Sequence, residues 1–261
     1  MIGKLYKHDI KKMTKTLVWF YLLSLGLAGI TRLVNIGSHI QFVNIIGKVL
    51  QGMTFSAIAN ILINMVIHVL LAFSRGFYKD ESYLTHTLPV TKTQLFTSKF
   101  LAGTTVIVCS LLVSFLSLFI LFYTKDLFNV IKAYLQMSIV GLEMSGGAFV
   151  ILLVFALIVE LLCMMAMAFT AIIKCNTYNT KRIIKGVVWF VVYYMVAAII
   201  NLLSIVIVFA LSGNISEISA TVMSGKAFVS TIVMAFVDYL VFTIAHFFIA
   251  NKIFNRGVNV D

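Results

Sequence analysis

Proline occurs once in the 261 residues, at Pro89, and the nine Asp and Glu are outnumbered by twenty Lys and Arg. With one proline, none of the long apolar runs contains a helix breaker. Charged residues make up 11% of the chain and apolar residues 61%, against about 25% and about 45–50% in soluble globular domains. This shortage of charge excludes an ordinary soluble class. The three cysteines, Cys109, Cys163 and Cys175, show no C-x-x-C spacing, and the first two sit inside apolar runs. A disulfide framework and a zinc site are therefore not expected, because a thiol in such a run behaves as a small hydrophobe. There is no G-x-x-x-x-G-K-[ST] phosphate loop, no H-E-x-x-H and no G-x-S-x-G, so none of the chemistries those motifs perform is supported. No catalytic residue or metal site is expected, and the chain reads as a non-enzyme. A Gly-, Ser- or Pro-rich linker, a low-complexity tract and an internal repeat are all missing, which predicts a single domain over 1–261.

What is present is membrane-spanning helix. A bilayer core needs about 20 apolar residues of helix, and six segments qualify: about Thr16–Val34, Gly52–Ser74, Phe100–Tyr123, Gly147–Ile173, Gly186–Leu211 and Ala227–Ala250. The fold class is an all-α membrane protein. The basic residues set its orientation. Fifteen Lys and Arg fall before the first span, between spans two and three, between four and five, or after six; Arg32, Lys48, Lys125, Lys132 and Lys226 make five on the other side. The positive-inside rule then predicts cytoplasmic N- and C-termini. Cytoplasmic loops facing anionic lipid also account for the net charge of +11, so nucleic acid is not expected as a partner.

The N-terminal MIGKLYKHDIKKMTK has a basic character, but no small-residue cleavage site ends the run after it, so that run reads as a retained anchor. Ile2, Leu5, Tyr6, Ile10 and Met13 share one helical face, with Lys4, Lys7, His8, Lys11, Lys12 and Lys15 on the rest. This pattern predicts an amphipathic helix over residues 1–15 in the cytoplasmic interface, serving either to anchor the first span or to contact a partner. On the other side, Asp126–Gln136 collects Leu127, Val130, Ile131, Tyr134 and Leu135 on one face. It is either a short interfacial helix or an extension of span three.

Polar residues inside spans are costly and so are functional candidates. Glu160 and Asp238 lie near the middles of spans four and six. In span two, Ser56, Asn60, Asn64 and His68 recur every four residues, which keeps them on one slowly drifting face. That stripe either lines a translocation path or acts as interhelical hydrogen-bonding glue. For Glu160 and Asp238 the alternatives are a buried polar or protonated acid and direct contact with a substrate. Arg32, at the outer end of span one, reads as an interface anchor.

The longest polar interval is RGFYKDESYLTHTLPVTKTQLFTSKF, Arg75–Phe100, an intracellular loop joining spans two and three. Asp80 can cap a short helix through Glu81, Ser82, Tyr83 and Leu84. Pro89 makes a corner and pushes Leu88 toward extended backbone. Thr91 and Gln94 fit a capping box, and Val90 and Leu95 a hydrophobic staple. The loop therefore reads as a rigid protrusion exposing Phe77, Tyr78, Tyr83, Leu84 and His86 to the cytosol.

Within it, FYKDESYLTHTLPVTKTQLFTSK, and above all YLTHTLPV followed by Ser98-Lys99 before a long apolar helix, resembles the intracellular loop of bacterial type-2 ABC exporter permeases. The likeness covers Phe77–Lys99; elsewhere only the architecture corresponds. It implies that Asp80, Glu81, Tyr83, Leu84, Thr85, His86, Thr87, Leu88 and Pro89 form a coupling segment that docks on a separate ATPase subunit. Two ATPase copies would carry ATP and Mg, a second permease protomer would complete the transporter, and Lys174–Lys185 would be a minor further contact. The implied function is export of amphipathic or hydrophobic cargo across the bacterial plasma membrane, with Asn60, Asn64, His68, Glu160 and Asp238 as polar groups along the path. Two other classes stand beside it: a proton-coupled secondary transporter using Glu160 or Asp238, and a membrane immunity or sensor protein.

Overall fold

The computed structural model describes residues 2–37, 41–78, 89–123, 125–136, 144–178, 181–211 and 225–256. These form seven α-helices: α1 (Ile2–Ile36), α2 (Gln41–Tyr78), α3 (Lys92–Phe122), α4 (Lys125–Gln136), α5 (Gly146–Cys175), α6 (Arg182–Leu211) and α7 (Gly225–Asn255). No strand occurs among the described residues. All except α4 are long and apolar enough to cross a membrane, as the six apolar runs predict.

Two of the helices are longer than the apolar runs suggest. α1 is unbroken from Ile2, so the lysine-rich N-terminus and the first span are one rod. Its 35 residues extend about 52 Å at 1.5 Å per residue, well beyond a hydrocarbon core of about 30 Å. α2 begins at Gln41, eleven residues before the predicted span. α4 is separate from α3: the chain leaves helix at Tyr123, and α4 leaves Phe128, Val130 and Tyr134 exposed.

The chain divides into two compact units, residues 1–129 and 130–261. In the first, α1 packs along both α2 and α3, which touch each other less. In the second, α5 likewise packs along both α6 and α7. The core of the first unit runs from Met13 and Leu17 on α1 through Ile61, Met65, Phe73 and Phe77 on α2 to Phe96 and Val106 on α3. The second is centred on Cys163, Met167 and Ala197, with Phe190, Tyr193, Tyr239 and Phe242 around them.

Candidate functional site

Pro89 and Val90 form a bend, and Thr91 starts α3 with extended backbone, φ −73° and ψ 150°. The Thr91 hydroxyl oxygen accepts from the Gln94 amide at 3.3 Å, and the Thr91 amide donates to Gln94 Oε1 at 3.2 Å. This is the capping box the sequence spells out, and it gives α3 a fixed first turn. The predicted coupling residues Asp80, Glu81, Tyr83, Leu84, Thr85, His86, Thr87 and Leu88 lie outside the described residues; Pro89 is at their edge.

The two helices framing this segment are tied together at its base. Phe77, expected from the sequence to face the cytosol, is instead fully buried: it stacks edge-on with the equally buried Phe73 at 5.0 Å, and Phe73 meets Phe96 of α3 at 6.2 Å. Beside the rings, Lys99 Nζ donates to Asp9 Oδ1 at 3.0 Å while Ser98 Oγ donates to Asp9 Oδ2 at 2.9 Å, so both carboxylate oxygens are occupied. The pair is deeply buried, with side-chain exposures of 6% for Lys99 and 8% for Asp9. The ammonium also lies 5.1 Å from the centre of the Phe77 ring, close enough for a cation–π attraction. Gly76 makes room for it: a Cβ there would sit 2.5 Å from Lys99 Nζ and 2.9 Å from Cε. One buried cluster thus fixes the end of α2, the start of α3 and the N-terminal third of α1.

The charge pattern alone puts Lys99 among loop charges facing anionic lipid and gives Asp9 no role. A signal was available. Asp9 is the sole acidic residue before Asp80, set among five lysines, and an unpaired acid in that company invites a search for its cation.

Further along α1, hydroxyl pairs continue the seam. Tyr21 meets Ser110 at 2.6 Å, Ser24 donates to Ser117 at 2.8 Å, and Thr31 meets Thr54 of α2 at 2.9 Å. Nearer the N-terminus, Tyr6 meets Thr105 at 2.8 Å. This is the interhelical glue of the first unit, whereas the asparagine stripe bonds along its own helix. Asn60 donates to the Ser56 carbonyl at 3.1 Å and Asn64 to the Asn60 carbonyl at 2.9 Å. Ser56 and Asn60 are exposed and His68 half-buried, on the same α2 face.

In the second unit Tyr193 of α6 packs edge-on to His246 of α7 at 4.9 Å. Because these helices are antiparallel, Asn201 and Asp238, eight residues on and eight residues back, stand at one level. The Phe149–Phe228 and Thr170–His246 contacts place α5 parallel to α7 and bring Glu160 to the same level. Glu160 is exposed and Asp238 half-buried. Asp238 Oδ2 and Asn201 Nδ2 are both buried with no hydrogen-bond partner. Neither acid is in an ion pair among the described residues, and no group of three metal-ligating side chains is found among them.

No family model, curated protein or solved structure matches the chain. His246 was not singled out in the sequence. It is 6% exposed, and its Nδ1 lies 3.2 Å from the hydroxyl oxygen of Thr170. That hydroxyl donates to the Ala166 carbonyl at 2.8 Å, so its oxygen is left to accept from a protonated Nδ1. His246 reads as a packed, satisfied core residue.

Proposed function

We propose that the chain is the permease subunit of an ATP-driven exporter of amphipathic or hydrophobic cargo, resident in the plasma membrane with both termini in the cytoplasm. The supporting observation is the junction of two features. The segment resembling an ABC permease coupling loop, Phe77–Lys99, starts and ends on residues of the buried Asp9–Lys99–Phe77 cluster. A lever needs a stiff base, and this base combines an ion pair, a capping box and interlocked aromatic rings. ATP and Mg would be bound by two copies of a partner ATPase, whose movement would reach α1, α2 and α3 together through Asp80–Pro89. The lysine-rich start of α1 would lie at the cytoplasmic interface, next to that partner. A second permease protomer would complete the path, with Asn60, Asn64, His68, Glu160 and Asp238 shaping it.

Co-expression with candidate ATPase subunits tests the reading. A stable complex is expected, and replacing Tyr83 and Leu84 by alanine should release the ATPase while leaving the permease folded. A bound, transport-competent complex that survives the double replacement would refute it.

A second reading has an observation of its own. Asp238 Oδ2 and Asn201 Nδ2, buried and unpartnered at the level of Glu160, are suited to a proton-coupled transporter. Uptake or efflux driven by a proton gradient alone, and lost in Glu160→Gln or Asp238→Asn, would favour it over the ATP-driven mechanism.

A further inference from the structure

At the end of α1 remote from Asp9, a groove of about 310 Å³ is lined by Arg32, Asn35 and Ile36 of α1, Gln51 of α2, and Leu121 and Phe122 of α3. Its size is at the lower edge of ligand pockets, about 300–1,000 Å³. Arg32 is half-buried, and its guanidinium lies 5.1 Å from the centre of the Tyr123 ring. Arg32 forms no ion pair with a carboxylate among the described residues. A guanidinium has five donors in a planar fork and no neutral form near physiological pH.

α1 and α2 are tied together beside the groove. One helical step below Arg32, the Thr31 and Thr54 hydroxyls bond at 2.9 Å, both side chains fully buried. Gly47 lets α2 close on α1, since a Cβ there would collide with the Asn35 carboxamide oxygen. Two carboxamides, Asn35 and Gln51, line the groove together with the cation. Ile36 and Phe122, both exposed, form apolar walls on the same groove. A cation with amide donors beside exposed apolar side chains, at the end of a spanning helix, matches an anion that carries a hydrocarbon tail.

We infer that this groove binds the phosphate of an anionic phospholipid, with the guanidinium on the phosphate oxygens, Asn35 and Gln51 donating to the headgroup, and Ile36 and Phe122 against the acyl chains. A free phosphate would use the cation and amides but leave the apolar walls idle. The inference does not depend on the exporter reading and holds for any membrane role of the chain.

The test uses the purified full chain, delipidated in a neutral detergent, then offered phosphatidylglycerol or phosphatidylcholine and examined by native mass spectrometry and by thermal stability. One tightly retained phosphatidylglycerol per chain and a stabilising shift absent with phosphatidylcholine are expected. Arg32→Gln should weaken retention about five- to tenfold, the contribution of one basic residue at a lipid surface. Lys48→Gln removes an exposed charge of α2 outside the groove, and should leave retention unchanged. If Arg32→Gln fails to fold, Gln51→Leu and Arg32→Lys replace it, and both should weaken retention while the far-ultraviolet spectrum is kept. Equal retention by wild type and the groove variants, or equal loss with Lys48→Gln, overturns the inference. If soluble glycerol phosphate stabilises the chain as well as phosphatidylglycerol at equal concentration, a lipid is not the ligand and the inference also fails.

Discussion

Replacing Asp9 by alanine should be among the most damaging single changes in the first unit. The variant leaves the Lys99 ammonium in a place where its side chain is 6% exposed, with no other carboxylate of the described residues beside it. Stranding one partner of a buried pair costs about 3–5 kcal/mol, and the Ser98 hydroxyl loses its acceptor, worth about 1 kcal/mol more. The Phe77 ring still faces the ammonium at 5.1 Å. Its attraction, about 0.5–2 kcal/mol, was present before the change and compensates nothing. Removing both charges is a different perturbation. Asp9→Leu with Lys99→Met replaces the pair by apolar groups of similar length, and such exchanges are commonly neutral or stabilising. Denaturation of the purified chain, followed by circular dichroism, should therefore show the double variant close to wild type and Asp9→Ala far below it. If the double variant falls as far as the single one, the pair is not a buried, mutually dependent ion pair and the account of the loop base is wrong.

Gly76→Ala should cost about 1–3 kcal/mol, as overpacking does. The same change in a Lys99→Met background should cost measurably less, because the atoms it meets are Lys99 Nζ and Cε. Thr91→Ala removes the hydroxyl that caps α3 and should cost about 1 kcal/mol; hydrogen exchange should quicken in the first turn of α3 and not in α1. His246→Ala should lower the denaturation midpoint by an amount corresponding to about 1–3 kcal/mol, since it opens a cavity beside Tyr193 and removes the contact with Thr170. His246→Asn should recover part of it if the hydrogen bond rather than the volume dominates.

The spans were legible because their signal is local. Twenty apolar residues in a row require no knowledge of any partner, and the box at Thr91 and Gln94 is contained in four residues. Helix over residues 1–15 is legible from its apolar face, but its unbroken continuation into the first span is not, and Gln41–Gln51 carries enough polar residues to end an apolar window while remaining helix. α4 was open in the sequence between a separate helix and an extension of α3. The break at Tyr123 decides it, and nothing in the residue types there forces a break.

The clusters divide the same way. Glu160 and Asp238 stand out because a carboxylate in the middle of an apolar run is rare. Their common depth with Asn201 follows only once the register of α5, α6 and α7 is known from the contacts of Tyr193, His246, Phe149 and Phe228. The asparagine stripe is open in the sequence between a path lining and interhelical glue. Within the chain the Asn60 and Asn64 amides turn back to carbonyls four residues earlier, which a helix in a medium poor in donors and acceptors always offers. The glue lies in serine, threonine and tyrosine hydroxyls, each unremarkable in the sequence. Those of α1 are paired with hydroxyls 89, 93 or 99 residues away on α3, or 23 residues away on α2. Asp9 and Lys99 carry that lesson furthest. Both sit in stretches whose charge pattern is explained by the membrane surface, and a pattern that already has an explanation conceals a partner 90 residues away. Complementarity between distant residues is a property of the packing, and among few acids and many bases the acid, being scarce, is the residue from which to begin looking for it.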